Sequence, residues 1–571
     1  MFMEIGRYLN LRLIELGVHH VFGVPGDFNL SYLELLESEE QLTFIGNCNE
    51  LNAAYAADGY ARMNGFSALL TTYGVGDLSA INGIAGAYAE NVAMIHISGI
   101  PPLHAVEQGA LLHHTLVDGN YDNIMNCMRE FTVAQTRLTP ANAAAEIDRV
   151  LRQCILTKRP VHIQLPSDIT HIQIEGPIKP LSLLMTPSDP ILLKQSISDI
   201  CAEIALAERP ALLIDYEAET FKVTELLQQL AIQLNIPYAS LSTAKNIMDE
   251  SSSLFAGVYI GAPSAPVTRS LIEDSDCLIA IGPRFTDVGT AFFSHQLDAK
   301  NMIVIHQYGL SIRGKSHSGL EMSALLTGLI QQSQASKTSQ ALFGKVKKPI
   351  ETYSGEKKLT QNALWQYIGG FLKPEDVIVA EVGTSNSALS GMLLPKMSKY
   401  IAQPIWGSIG YTLPALLGSM LATPQRRHIL FIGDGSIQLT IQELSSIIRL
   451  DLKPIIFVLN NGGYTIERLI MGEHSSYNDI HNWKYSEFAH VFNAKADHQS
   501  YVVRTVGELE HTLELISETQ QLCVVELQLP QMDAPQSLKN FAEVVARYDY
   551  GDYGYDKLMK SVEKTNYKNA I

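Results

Sequence analysis

Short apolar runs separated by longer stretches with helical periodicity set the plan of this chain. HHVFGV (19–24), SALLTT (67–72), VAMIHISG (92–99) and PVHIQLP (160–166) fall in the first third. ALLIDY (211–216), CLIAIG (277–282) and MIVIHQ (302–307) follow, then DVIVAE (376–381), HILFI (428–432), PIIFVL (454–459) and LCVVEL (522–527). Runs that are short and continuously apolar predict strands buried on both faces, and the amphipathic stretches between them predict crossover helices. The pattern therefore predicts the α/β class, built from doubly wound parallel sheets. It is interrupted twice. Residues 177–190 are rich in Pro, Ser and Leu without a period, and residues 331–357 are polar and rich in Lys, Ser and Gln, so both read as linkers. Three domains are expected, at 1–180, 190–335 and 355–571, as a length of 571 residues would suggest.

The first seventeen residues, interrupted by Glu4, Arg7, Arg12 and Glu15, predict an amphipathic helix rather than a signal peptide or a membrane span. DAP (533–535) predicts the start of a C-terminal helix. RYDYGDYGYDK (547–557) reads either as a surface tail or as an end segment folding over a pocket.

A net charge of −17 argues against a nucleic-acid or anionic-membrane partner, since both need clustered Lys and Arg. The six cysteines have no CxxC spacing, which fits reduced, mostly buried thiols in a cytoplasmic protein. No GxGxxG follows a strand in the middle third, so no nucleotide is expected there.

Candidate chemistry concentrates in GDGSIQLT (433–440) and NNGGYTIE (460–467), each placed after a predicted buried strand. Ligands of open parallel sheets bind beyond the carboxyl ends of the strands, so Asp434 and Asn461 should converge. Residues 437–450 between them predict one amphipathic helix. A carboxylate, an amide carbonyl and a nearby backbone carbonyl are hard oxygen donors that suit magnesium. The plain alternative makes Asp434 a helix cap and Asn460-Asn461-Gly462 a turn. In the first third, PGDFNL (25–30) puts Asp27 in a turn after a strand, and GNCNELNAAYAADGYAR (46–62) puts Glu50 at the start of an Ala-rich helix, where it could simply complement the helix dipole. LLHHTLVDG (111–119) carries His113 and His114, whose adjacency is poor spacing for a single metal.

Together with WGSIG (406–410), these segments resemble, in order and over nearly the whole chain, the 2-oxo acid decarboxylase branch of the thiamine diphosphate enzymes. That branch includes pyruvate, indolepyruvate and branched-chain 2-oxo acid decarboxylases. The resemblance implies pyrimidine-binding, middle and diphosphate-binding domains. It implies a cofactor lying between the first domain of one subunit and the third domain of another, hence a homodimer or homotetramer. It assigns magnesium to Asp434, Asn461 and the Gly463 carbonyl, and further cofactor contacts to Gly383, Thr384, Gly407, Gly435 and Ser436. Glu50 matches the glutamate that hydrogen-bonds the aminopyrimidine, and Ile409 the apolar wedge that bends the cofactor. Asp27, His113, His114 and Glu467 match the polar set that handles protons as a 2-oxo acid loses carbon dioxide through an ylid and an enamine, giving an aldehyde. The substrate side chain is expected to meet Thr290 in the 288–290 turn, Asn386, Ile466, Phe541 and Val545. The pocket they form should take pyruvate and short or branched aliphatic 2-oxo acids better than large aromatic ones.

Two positions depart from the family pattern. Val117 stands where many relatives place glycine, and Asn386 where they often carry an aromatic or small apolar residue. Two rival functions share the fold. An acetolactate-type carboligase normally lacks the His-His pair and the Asp27 equivalent. An inactive cofactor-binding subunit should have lost Glu50 or a metal ligand.

Overall fold

The computed structural model describes residues 2–177, 179–181, 187–332, 351, 353–495 and 497–568. Much of both predicted linkers lies outside them. Each of the eleven apolar runs forms a strand, and they are distributed over three large sheets.

The first sheet runs Thr43–Gly46, His20–Gly23, Ser67–Thr72, Met94–Ile100, Val161–Pro166, Gln135–Arg137, all parallel. The last sheet runs Lys399–Ile401, Val377–Ala380, His428–Gly433, Ile455–Asn460, Leu522–Gln528, His498–Val503, again all parallel. Numbered along the chain, both have the order 2-1-3-4-6-5. The middle sheet departs from the expected pattern, because Gly309–Ile312 and Lys315–Ser318 add two antiparallel strands to one edge. Gly309–Ile312 sets the buried Leu310 and partly buried Ile312 between Gly309 and Ser311, and Lys315–Ser318 is polar, so neither forms a continuous apolar run in the hydrophobic pattern.

Three local expectations are corrected. The opening helix begins only at Ile5, because Phe2–Glu4 pairs antiparallel with Gln173–Glu175. The stretch after Asp434 is two helices, Asp434–Thr440 and Glu443–Arg449. Glu443, at the start of the second, is buried and accepts hydrogen bonds from the Asn47 and Asn52 side chains, both at 2.9 Å. The tyrosine-rich segment is helical, lying within Gln536–Lys568, whose axis is broken at Gly551, and its Tyr548 ring packs on Phe292 of the middle domain. Of the six cysteines, only Cys154, Cys277 and Cys523 are buried.

The first and last domains share one hydrophobic core, formed where Glu50–Asn64 packs on Thr412–Ala422. Contact there is backbone to backbone. A Cβ on Gly59 would stand 2.1 Å from the Ala415 carbonyl oxygen, and one on Gly418 1.8 Å from that of Ala56, so neither position admits a side chain. This packing sets the position of the Glu50 helix relative to the loop that precedes Thr412.

Candidate active site

In the last sheet the strand order switches between Val377–Ala380 and His428–Gly433, and a cleft of about 510 Å³ opens beyond their carboxyl ends. Asp434 lies on its floor. The carboxylate is buried; Oδ1 accepts from the Gly435 N–H at 2.8 Å, and Oδ2 from the N–H groups of Gly462 at 2.7 Å and Gly463 at 3.1 Å. Burial pushes its pKa up to about 6 against the pull of these donors. Oδ1 thus satisfies a first-turn N–H of its own helix, while the bonds of Oδ2 to Gly462 and Gly463 reach across to the end of the neighbouring strand.

The Asn461 side-chain amide reaches both neighbours, its nitrogen donating to the Gly463 carbonyl at 2.9 Å and to Asp434 Oδ1 at 3.3 Å. Its oxygen accepts from the Thr465 hydroxyl at 2.8 Å; turned over, the amide would place that oxygen beside the Gly463 carbonyl and the Asp434 carboxylate, a hard-oxygen set of the kind magnesium takes.

The same cleft is lined by Gly383, Thr384, Asn386, Gly407, Ile409, Gly435, Ser436, Ile466, Glu467, Phe541 and Val545. Gly383 and Gly407 have φ of +98° and +66°, with open space where a Cβ would project, so at both the backbone itself faces the cleft. Asn386 is tethered, accepting from the Tyr400 hydroxyl at 2.6 Å. Thr290 does not reach the cleft. It is fully buried, and its hydroxyl donates to the Thr286 carbonyl at 2.6 Å; the wall there is made by Val288 and Phe292.

The loop carrying Gly407 and Ile409 is held by residues that sequence reasoning missed. The Glu90 carboxylate accepts from the N–H groups of Ile405 at 2.8 Å and Trp406 at 3.2 Å, and Asn82 accepts from the Trp406 indole at 2.8 Å. Tyr55 and Asn82 both hydrogen-bond the Ser408 hydroxyl. From below, the buried Glu381 accepts from the Gly410 N–H at 3.1 Å and the Thr412 hydroxyl at 2.8 Å. Burial pushes Glu381 up to about 7. Glu381 ends the run DVIVAE, so the strand-end carboxylate signal that marked Asp434 applied to it equally.

Asp27, His113 and His114 form a second cluster on the first domain, and neither they nor Glu50 line the cleft. Asp27 follows the strand His20–Gly23, which lies beside the switch point of its own sheet. His113 Nε2 is 2.8 Å from Asp27 Oδ2, and His114 Nδ1 is 3.8 Å from Oδ1. Phe28 stacks on the His113 ring at 5.0 Å. The two histidines do converge on one carboxylate, despite their adjacency, because His114 adopts a φ of +61°. Glu50 opens its helix just after Asn49, whose side chain accepts from the Asn52 N–H. Its Oε1 lies 3.3 Å from where a Gly76 Cβ would be. On the single chain Asp27, His113 and His114 are exposed, and Glu50 is partly buried.

Val117 is also left-handed, at φ +58°, a conformation that costs a β-branched residue about 1–2 kcal/mol. Val117→Gly should therefore stabilise the loop by about 1 kcal/mol, read as roughly fivefold slower amide exchange over residues 113–119. Unchanged or faster exchange would show that the loop carries no such strain.

The chain matches three family models, described as the thiamine pyrophosphate enzyme N-terminal TPP binding domain (residues 3–119), central domain (197–318) and C-terminal TPP binding domain (381–527). It is 40% identical to a putative pyruvate decarboxylase of Schizosaccharomyces pombe over 562 residues, covering 95% of this chain and 98% of the relative. It is 40% identical to an alpha-keto-acid decarboxylase of Mycobacterium avium over 537 residues (94% and 95%), and 37% identical to a pyruvate decarboxylase of Candida glabrata over 560 (95% and 98%). Similarity at that level across all three domains, on a chain whose two matching sheets each present a polar cluster at the switch point, means that the chain belongs to the thiamine diphosphate-dependent 2-oxo acid decarboxylase family.

Proposed function

We propose that this protein decarboxylates a 2-oxo acid, pyruvate or a short or branched aliphatic one, to an aldehyde and carbon dioxide without oxidation. It would do so in the cytoplasm as a homodimer or homotetramer. The observation that carries this reading is the convergence of the Asp434 carboxylate, the Asn461 side-chain amide and the Gly463 carbonyl on the floor of a largely apolar cleft. That donor set fits magnesium, which takes few protein ligands and completes its shell with water and phosphate oxygens. When bound, thiamine diphosphate supplies the carbon nucleophile and the electron sink for decarboxylation.

The chain's own residues hold and orient the group and move protons. Gly383, Thr384, Gly435 and Ser436 border the floor where a diphosphate would rest. Gly407 offers its backbone, and Ile409, half-buried, presents a branched side chain that excludes a flat conformation by bulk. Glu50 would hold a proton against a ring nitrogen. Asp27, His113, His114 and Glu467 would exchange protons with the substrate as general acids and bases. Since Glu50 and the Asp27 cluster lie outside the cleft of their own chain, a complete site takes the first domain of one copy and the last domain of another.

No described helix is long and apolar enough to cross a membrane. Incubation with a panel of 2-oxo acids, thiamine diphosphate and magnesium should release aldehyde and carbon dioxide in equal amounts. Acyloin acids in place of aldehyde would favour the carboligase; cofactor binding without any product would favour the inactive subunit. Among substrates, Ile466 narrows the cleft. Ile466→Ala should shift specificity toward longer side chains by about 1–3 kcal/mol in transition-state binding, measured as kcat/KM ratios across 2-oxo acids of increasing length. Equal ratios in variant and wild type would remove Ile466 from the pocket.

A further inference from the structure

The middle domain contributes one aromatic wall to the cleft through an unusual turn. Three successive residues with side chains, Ala291, Phe292 and Phe293, have φ of +45°, +57° and +60°. L-residues avoid such a run, and it persists only where the surroundings fix it. The fixings are specific. The Phe292 N–H donates to the Asp287 carbonyl at 2.7 Å, and the Phe293 N–H donates to the Thr290 hydroxyl at 3.1 Å. The Thr290 hydroxyl donates to the Thr286 carbonyl at 2.6 Å, and the Ser294 hydroxyl donates to the Thr290 carbonyl at 2.8 Å. Gly261 closes on the same carbonyl so tightly that a Cβ there would stand 2.4 Å from the oxygen.

The turn separates two adjacent phenylalanines. Phe292 goes into the cleft, while Phe293 is left 51% exposed. The Phe292 ring then meets the C-terminal helix, with centroids 4.6 Å from Tyr548 and 5.9 Å from Phe541. Phe541 and Val545, one helical turn apart, line the cleft themselves. A single side chain thus forms part of the wall and packs on the helix that forms another part.

We propose that Phe292 determines how long a side chain the substrate may carry, and that its contact with Tyr548 sets the position of the Phe541–Val545 wall. This deepens the decarboxylase reading and rests on it. An apolar wall discriminates by exclusion, and exclusion is sharp only if the wall cannot retreat. The hydrogen-bonded turn behind Phe292 meets that condition. Thr290, buried beneath it, is a pin of the turn and not a pocket residue.

The test uses holoenzyme, with thiamine diphosphate and magnesium, and four acids: pyruvate, 2-oxobutanoate, 2-oxopentanoate and 2-oxohexanoate. For Phe292→Ala the ratio of kcat/KM for 2-oxohexanoate to that for pyruvate should rise about 10- to 100-fold, with Phe292→Leu between it and wild type. Phe292→Leu keeps an apolar side chain in the turn and decides the question even if the alanine variant does not fold. Tyr548→Ala, which loosens the helix, should lower kcat/KM for all four acids and raise KM more than it lowers kcat. A ratio unchanged in the Phe292 variants, with pyruvate still turned over, overturns this proposal alone. Aldehyde from none of the acids with wild type overturns it together with the decarboxylase reading.

Discussion

Glu50→Gln is expected to lower kcat on the order of 10³-fold, about 4 kcal/mol in barrier, while leaving the fold and the assembly as they are. The replacement has the same shape. The Asn-rich loop before it stays tied down, because Glu443 still accepts from Asn47 and Asn52 and Asn49 still caps the helix. The change is confined to the proton, which a carboxylate shares with a ring nitrogen and an amide does not. Circular dichroism and sedimentation should match wild type, and cofactor affinity should fall far less than turnover. A variant that decarboxylates at the wild-type rate would reduce Glu50 to a charge at a helix N-terminus.

Much of this molecule was legible in its sequence because buried parallel strands leave a strong signal. Every run such as HILFI or PIIFVL became a strand, and the two oxygen-bearing strand ends, Asp434 and Asn461, do meet. The less legible parts depend on geometry that periodicity does not encode. The antiparallel edge of the middle sheet breaks up its apolar positions, Leu310 and Ile312, with Gly309 and Ser311 and then a polar strand, so it shows no apolar run. The stretch after Asp434 reads as one amphipathic helix, yet it breaks so that Glu443 can reach the loop of another domain. Thr290 stood in register with the cleft, but a left-handed turn buried it and put Phe292 there instead. Glu90 and Asn82 lie more than three hundred residues from the loop they hold, a separation across which a single sequence carries no pairing signal.

Asp434→Ala should act on binding rather than on turnover. Loss of the carboxylate removes one of the three converging groups and leaves the N–H groups of Gly435, Gly462 and Gly463 without their acceptor. Removing a metal ligand on this scale should weaken magnesium and cofactor binding by about 3 kcal/mol or more, at least a hundredfold in the concentrations needed for half-maximal activity. The wild type carries its own pH signature at this residue. Its carboxyl pKa, about 6, lies above the ordinary 3.8, so between those values the folded chain binds more protons than the unfolded chain. Stability of the cofactor-free protein therefore falls as pH rises through that window, and a metal must displace a proton to bind below about pH 6. Apparent magnesium affinity should fall as pH drops below about 6, and isothermal titration at pH 5 and pH 8 measures it. The two variants also test where the site lies. At magnesium and cofactor concentrations that only just saturate wild type, neither Glu50→Gln nor Asp434→Ala homodimers should show appreciable activity. Co-refolded in equal amounts, however, they form hybrids in which one of the two sites draws an intact Glu50 from one chain and an intact Asp434 from the other. With random pairing, half the dimers are hybrids, and about a quarter of wild-type activity should return. If each site were built within a single chain, no hybrid would contain an intact one, and mixing would restore nothing.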